Sequence, residues 1–247
     1  MIDKIFKSSL PLLLMFCLAG ISVAHAASIN PSKKKPIRVL IVGGGSSHDF
    51  DKWYKGEDVA TLQKNGFATA EYTSDPTTIL SRLPNIDVLY LANNQPISDD
   101  ATRRAIFAFV DAGKGLVLGH PAIWYNWKDW PEYNLKLVGG GSKGHNKYGP
   151  FDVTITNTNH PVTKGLPTTF HLDDELYYFI PDTAGTPVEI LATSKAADSD
   201  KVFPSLFIVK YPKGRIVGFA LGHDVNSHTI EPYKTILRNA VKWAAKK

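Results

Sequence analysis

Short apolar runs and amphipathic stretches alternate through the first half of the chain. Residues 37–42 are apolar apart from Arg38, the pattern of a strand buried on both faces of a parallel sheet. A glycine–serine loop follows. A helix is predicted over residues 52–64, ending at Asn65-Gly66, a pair suited to a left-handed cap. The alternation then repeats. Residues 67–72 read as a strand, and Asp75-Pro76 opens a short helix to Leu83. Residues 88–92 form a strand. Ser98 is the expected cap of a helix whose Ile106, Phe109 and Val110 keep helical spacing up to Gly113, and residues 116–118 form the next strand. The second half is richer in strands, at residues 151–156, 188–192, 206–211 and 216–220. The last two are joined by Pro212-Lys213-Gly214-Arg215 as an antiparallel hairpin. A final helix covers residues 231–245, with Ile236, Leu237, Ala240, Val241 and Ala244 on one face. This order predicts an α/β fold with a doubly wound, mostly parallel sheet, helices on both faces and an antiparallel C-terminal hairpin.

The beginning of the chain has a different character. Lys4 and Lys7 precede an apolar stretch over residues 10–23, and Ala24-His25-Ala26 has the form of a cleavage site. Residues 1–26 are expected to be a signal peptide, residues 27–35 a polar arm and residues 36–247 the domain. The mature protein is then periplasmic or secreted, with no membrane association after cleavage. The only cysteine, Cys17, lies within the signal. That excludes disulfides, thiolate metal sites and cysteine nucleophiles from the mature chain. The formal net charge is +5, but Lys33, Lys34, Lys35, Lys246 and Lys247 place much of the excess at the ends. Nucleic-acid binding needs a clustered basic face, so no nucleic-acid partner is expected.

Ligands of open α/β sheets bind beyond the carboxyl ends of the strands. Three histidines fall at that position: His48 after the first strand, His120 after the strand ending at Gly119, and His223 after the strand ending at Ala220. His145 follows a glycine-rich segment, read as a loop, and can join them. His160, before Pro161, reads as structural. His228 is close enough to His223 in sequence to line a site, and His171 has no assigned role. Asp173, Asp174 and Glu175 interrupt an aromatic run that includes Tyr177 and Tyr178. They form either a solvated turn or desolvated carboxyls with a raised pKa suited to proton transfer, with Glu175 the candidate. Asp49 and Asp224 each follow a histidine and either orient it or cap a helix. Trp124, Trp127, Trp130 and Tyr133 lie among Asn126, Lys128, Asp129 and Glu132. They are either core or a platform on which a sugar ring stacks, and the polar neighbours favour the platform. Residues 139–144 match both G-x-G-x-x-G and G-x-S-x-G but follow no predicted strand, so neither motif has its geometry. No nucleotide cofactor is expected.

Taken in order, these segments resemble the ThuA-like (trehalose utilisation) family. The resemblance rests on residues 43–48, 115–120, 140–145 and 160–166, on Asp174-Glu175-Leu176-Tyr177, and on residues 213–224. Phe207, where the family often has tryptophan, and Pro121, which stiffens the turn after His120, depart from the pattern. The resemblance implies a flavodoxin-like, class I glutamine amidotransferase-like fold with His120 at the turn that carries a cysteine nucleophile in the amidotransferases. Glutamine hydrolysis is excluded for want of a thiol. It further implies a small-molecule carbohydrate partner, a disaccharide or its 3-keto derivative. His120, Glu175 and His223 would do the acid–base work, and Trp124, Trp127, Tyr177 and Asp224 would contact substrate. Apart from the resemblance, the set of histidines itself suggests a divalent metal such as zinc, held by His48 and His145 with His120 and His223 as co-ligands. The alternatives are a non-catalytic carbohydrate-binding domain and a protein-interaction module.

Overall fold

A computed structural model of the chain describes residues 1–2, 35–196 and 200–247. Residues 3–26 of the expected signal peptide and nearly all of the expected polar arm lie outside the described residues. Lys35–Lys247 form one compact unit. Its strands are β1 (Ile37–Val42), β2 (Ala68–Thr73), β3 (Val88–Leu91), β4 (Gly115–Leu118), β5 (Gly140–His145), β6 (Gly149–Ile155), β7 (Thr169–Asp174), β8 (Tyr177–Pro181), β9 (Val188–Ala196), β10 (Val202–Val209) and β11 (Arg215–Phe219). Nine of them form one sheet in the order β2-β1-β3-β4-β11-β10-β9-β6-β7, while β5 and β8 pair separately. The first five in that order are parallel, as in flavodoxin-like sheets, and the remainder extend the sheet with antiparallel strands.

The alternation along β1 accounts for its unbroken apolar run. Val39 and Ile41 join the core beneath the helices α1 (Val59–Gln63) and α2 (Glu231–Ala244), with Tyr54, Leu237 and Val241. Leu40 and Val42 face the opposite core, with Ile106 and Val110 of the helix over Asp100–Asp111. The strand is therefore buried on both sides. The expected β10–β11 hairpin is present, with Leu206 opposite Phe219. Among the described residues no helix is long and apolar enough to cross a membrane.

Three local expectations change. The helix predicted over residues 52–64 begins as a π-helix, Asp51–Asp58, before α1, although Asn65 and Gly66 do end it with positive φ. The helix after β3 is capped by Asp99, not Ser98: the Asp99 carboxylate accepts from the Thr102 amide at 2.8 Å and adds a negative charge where the helix dipole favours one. The glycine-rich segment read as a loop is strand β5, antiparallel to β8. A Cβ on Gly140 would stand 2.3 Å from the Ile180 carbonyl oxygen, so glycine there serves a close backbone approach.

The register fixes where the site forms. Val42 is level with Leu91, Leu91 with Leu118, and Leu118 with Gly218. The carboxyl ends of β1, β3, β4 and β11 thus stand in one row. The chain leaves β1 to one side for β2 and to the other for β3, which makes this edge a topological switch point.

Candidate active site

Three loops leaving that row deliver His48, His120 and His223, and the β7–β8 connection delivers Glu175. One ligand atom from each of the four lies within 4.8 Å of every other. His120 is fully buried, and its Nε2 is 3.5 Å from Glu175 Oε2. His223 Nδ1 is 3.2 Å from the same oxygen. The His48 ring lies 5.2 Å from that of His120 and 4.8 Å from that of His223, centroid to centroid.

Backbone carbonyls set the tautomers of two rings. A carbonyl can only accept, so His120 donates Nδ1–H to Ala220 O at 2.6 Å and His48 donates Nδ1–H to Ser46 O at 3.0 Å. The other nitrogen of each ring, Nε2, is left to face the centre. The His48 loop is held by Asn94, whose side chain accepts from the Ser46 amide and donates to the Ser46 carbonyl, both at 2.9 Å. His48 Nε2, His120 Nε2 and His223 Nδ1 are all buried without a hydrogen-bond partner.

Electrostatics follow from this packing. Burial, aided by the adjacent His120, pushes the His48 pKa down to about 3, which keeps the ring neutral. The raised pKa expected for Glu175 is not found: burial alone would raise the carboxyl, but the adjoining His120 and His223 imidazoles outweigh it and hold the group below the usual carboxylate range. The Glu175 carboxylate raises His223 against the opposing effect of burial.

Asp174 organises two of these groups from behind. Its buried carboxylate accepts from the amides of Glu175, Gly222 and His223 at 2.7, 2.8 and 3.1 Å, and from the Ser227 hydroxyl at 2.5 Å. Further back, His228 and Asp58 form a fully buried pair. His228 Nδ1 donates to Asp58 Oδ1 at 2.7 Å and Nε2 to Gly222 O at 3.0 Å, while the Tyr90 and Tyr233 hydroxyls donate to Asp58 Oδ2. Both ring nitrogens donate, so the ring is an imidazolium. Burial opposes that charge, and Asp58 outweighs it to raise the His228 pKa.

The remaining candidates divide. Tyr177 stacks on His120 with centroids 3.8 Å apart, and Trp124, half-buried, meets Tyr177 edge-on at 5.2 Å. Both therefore border the cluster. Trp127 does not: it is buried against Trp130 and Tyr133, and its Nε1 donates to Gln95 O. The polar neighbours that favoured a sugar platform point elsewhere, Asn126 to Pro121 O and Asp129 to Arg103. His145 sits outside the four-group set. Its Nδ1 donates to Asn146 O at 2.6 Å and stands 3.7 Å from Glu175 Oε1, so Glu175 takes the place expected for it. Asp224 caps the turn of helix over Val225–His228 through the Asn226 amide and accepts from the Tyr148 hydroxyl. It acts as a cap and binds no imidazole directly. Asp49 likewise accepts from the Lys52 amide. His228 lies behind the site, His160 accepts from the Val162 amide as a structural residue, and His171 pairs with Asp152 on the surface.

Comparison with known proteins agrees with this architecture. A structure of a ThuA-like protein from Parabacteroides merdae aligns with a TM-score of 0.75 at 22% identity, over 85% of this chain and 90% of that one. Another from Bacteroides uniformis aligns at 0.71 and 22%, over 86% and 93%. The carbohydrate deacetylase Agd3 aligns at 0.55 and 11%, over 85% of this chain but 32% of its own. No curated protein matches the chain by sequence. The family model described as trehalose utilisation, ThuA, matches residues 38–244. The chain belongs to the ThuA family, on a glutamine amidotransferase-like α/β fold.

Proposed function

We propose that this protein is an exported enzyme of carbohydrate metabolism that acts on a disaccharide or its 3-keto derivative at the His48–His120–Glu175–His223 cluster. The observation that carries the reading is the Glu175 carboxylate. It is only 17% exposed, lies against two imidazoles and opens toward the half-exposed His145 and Trp124. A binding module has no need of three unpartnered buried nitrogens, which cost stability wherever they are left unsatisfied. Export rests on Lys4, Lys7, the apolar residues 10–23 and Ala24-His25-Ala26.

A ketone at C3 of a sugar ring acidifies the C2–H bond. Glu175 takes that proton as the base. The electron pair forms a C1=C2 double bond, the C1–O glycosidic bond breaks, and the departing oxygen leaves as an alcohol by taking the proton that Glu175 removed. His223, whose protonated form the Glu175 carboxylate favours, supplies the electrophilic side and polarises the ketone oxygen as enolate character develops. Trp124 offers a flat face for the sugar at the rim.

Incubating the purified protein with a 3-keto-disaccharide should release free monosaccharide together with an ultraviolet-absorbing enone. If the disaccharide persists unchanged alongside a folded protein, the reading fails. Trp124→Ala should weaken substrate binding by about three- to tenfold and leave the unfolding midpoint nearly in place, as titration and thermal melts of the same sample will show.

A further inference from the structure

We propose that His48 Nε2, His120 Nε2, His223 Nδ1 and Glu175 Oε2 together bind one divalent transition-metal ion of the zinc type. The proposal deepens the reading of this cluster as the reactive site and rests on it. Three observations lead here.

The first is the set of unsatisfied atoms. Among the described residues, buried side-chain nitrogens and oxygens without a partner occur at His48, Tyr72, Asn93, His120, Ser194, Ser205 and His223. The three histidines of that group, with Glu175, each bring one ligand atom within 4.8 Å of the others. A proton shared between Glu175 and His223 would satisfy one of them and leave His48 and His120 as they are. A single cation satisfies all three.

The second is orientation. The Nδ1–H bonds to Ser46 O and Ala220 O turn the two Nε2 atoms inward. Metal-binding histidines are held in this way, through the second ring nitrogen on a carbonyl or carboxylate. The third is spacing. Ligand atoms about 2.0–2.1 Å from a tetrahedral ion are separated by about 3.3 Å. The two contacts of Glu175 Oε2, 3.5 Å to His120 and 3.2 Å to His223, bracket that edge. Three imidazoles and one carboxylate oxygen suit zinc, cobalt or nickel rather than magnesium or calcium.

In this arrangement the ion is the electrophile that the imidazole cluster was asked to provide. Coordination through Oε2 leaves Glu175 Oε1, which faces His145, free to move the substrate proton.

The test uses the full mature chain, stripped of metal by chelator and titrated with Co²⁺. One equivalent should bind, with visible absorption bands of a low-coordinate site, and Zn²⁺ should displace it. His48→Ala and Glu175→Gln should each weaken binding by at least about a hundredfold, while His145→Ala keeps the one-to-one stoichiometry. Circular dichroism identifies any variant that has not folded, and the other variant then decides. Absence of visible bands in the wild type, or unaltered binding in both His48→Ala and Glu175→Gln, overturns the proposal. The readout contains no sugar, so loss of the carbohydrate reading would leave a positive result standing, and a metal-free protein that turns over sugar would reject the metal alone.

Discussion

Glu175→Gln should reduce turnover of a 3-keto-disaccharide by about 10²- to 10⁴-fold, the range expected when a positioned proton-transfer group is lost. Glutamine keeps the length and shape of the side chain. It removes the negative charge opposite His120 and His223 and can no longer accept the substrate proton. The Glu175 amide still donates to Asp174, so the backbone at this point keeps its anchor. Stability should change by less than about 1 kcal/mol. A stopped assay beside a thermal melt separates the two effects. Turnover within about twofold of the wild type would remove Glu175 from the chemistry.

Asp58→Ala should lower the unfolding free energy by about 3–5 kcal/mol, the cost of leaving a buried partner charge uncompensated. The carboxylate has no exposed surface, and removing it strands the His228 imidazolium and the hydroxyls of Tyr90 and Tyr233 together. Against a total stability of about 5–15 kcal/mol, such a loss is large. The pH dependence has a defined sign. His228 is raised above its ordinary value of 6.5. Its pairing therefore contributes fully below about pH 6.5 and fades as pH rises through the raised value. Asp58 and Asp174 are the charged groups whose fields raise it. The gap between wild type and Asp58→Ala should be widest in mildly acidic solution and narrow toward alkaline pH. Urea unfolding at about pH 6 and about pH 9 measures it. A gap that widens with pH would show that His228 is buried neutral.

Much of the scaffold is readable from local patterns because burial on both faces leaves an unmistakable apolar run, as in β1 and β4. The site is readable where one rule, ligands at strand ends, meets a chemically able residue: His48, His120 and His223 all satisfy it. Glu175 stands out as a charge among aromatic residues. The supporting groups carry no local signal. His228 and Asp58 are 170 residues apart, and neither has a neighbour that marks the other. Asp174 looks like one more acid in a row, since its role lies in accepting backbone amides from another loop. Asn94 likewise acts by clamping Ser46 from across the sheet. Trp127 misleads because Asn126 and Asp129, beside it in sequence, turn to hydrogen-bond partners while the indole turns inward. The segment over Gly140–His145 resembles a loop because glycines hide the strand they permit.

The row of strand ends supplies the histidines, but Glu175 arrives from beyond the antiparallel extension, by way of β7. Asp174 joins that segment to the His223 loop with a single carboxylate. The parallel half of the sheet by itself therefore holds imidazoles with no acid among them. Acid and imidazoles are contributed by different parts of one sheet, so damage to the antiparallel extension would disarm the centre without touching a histidine.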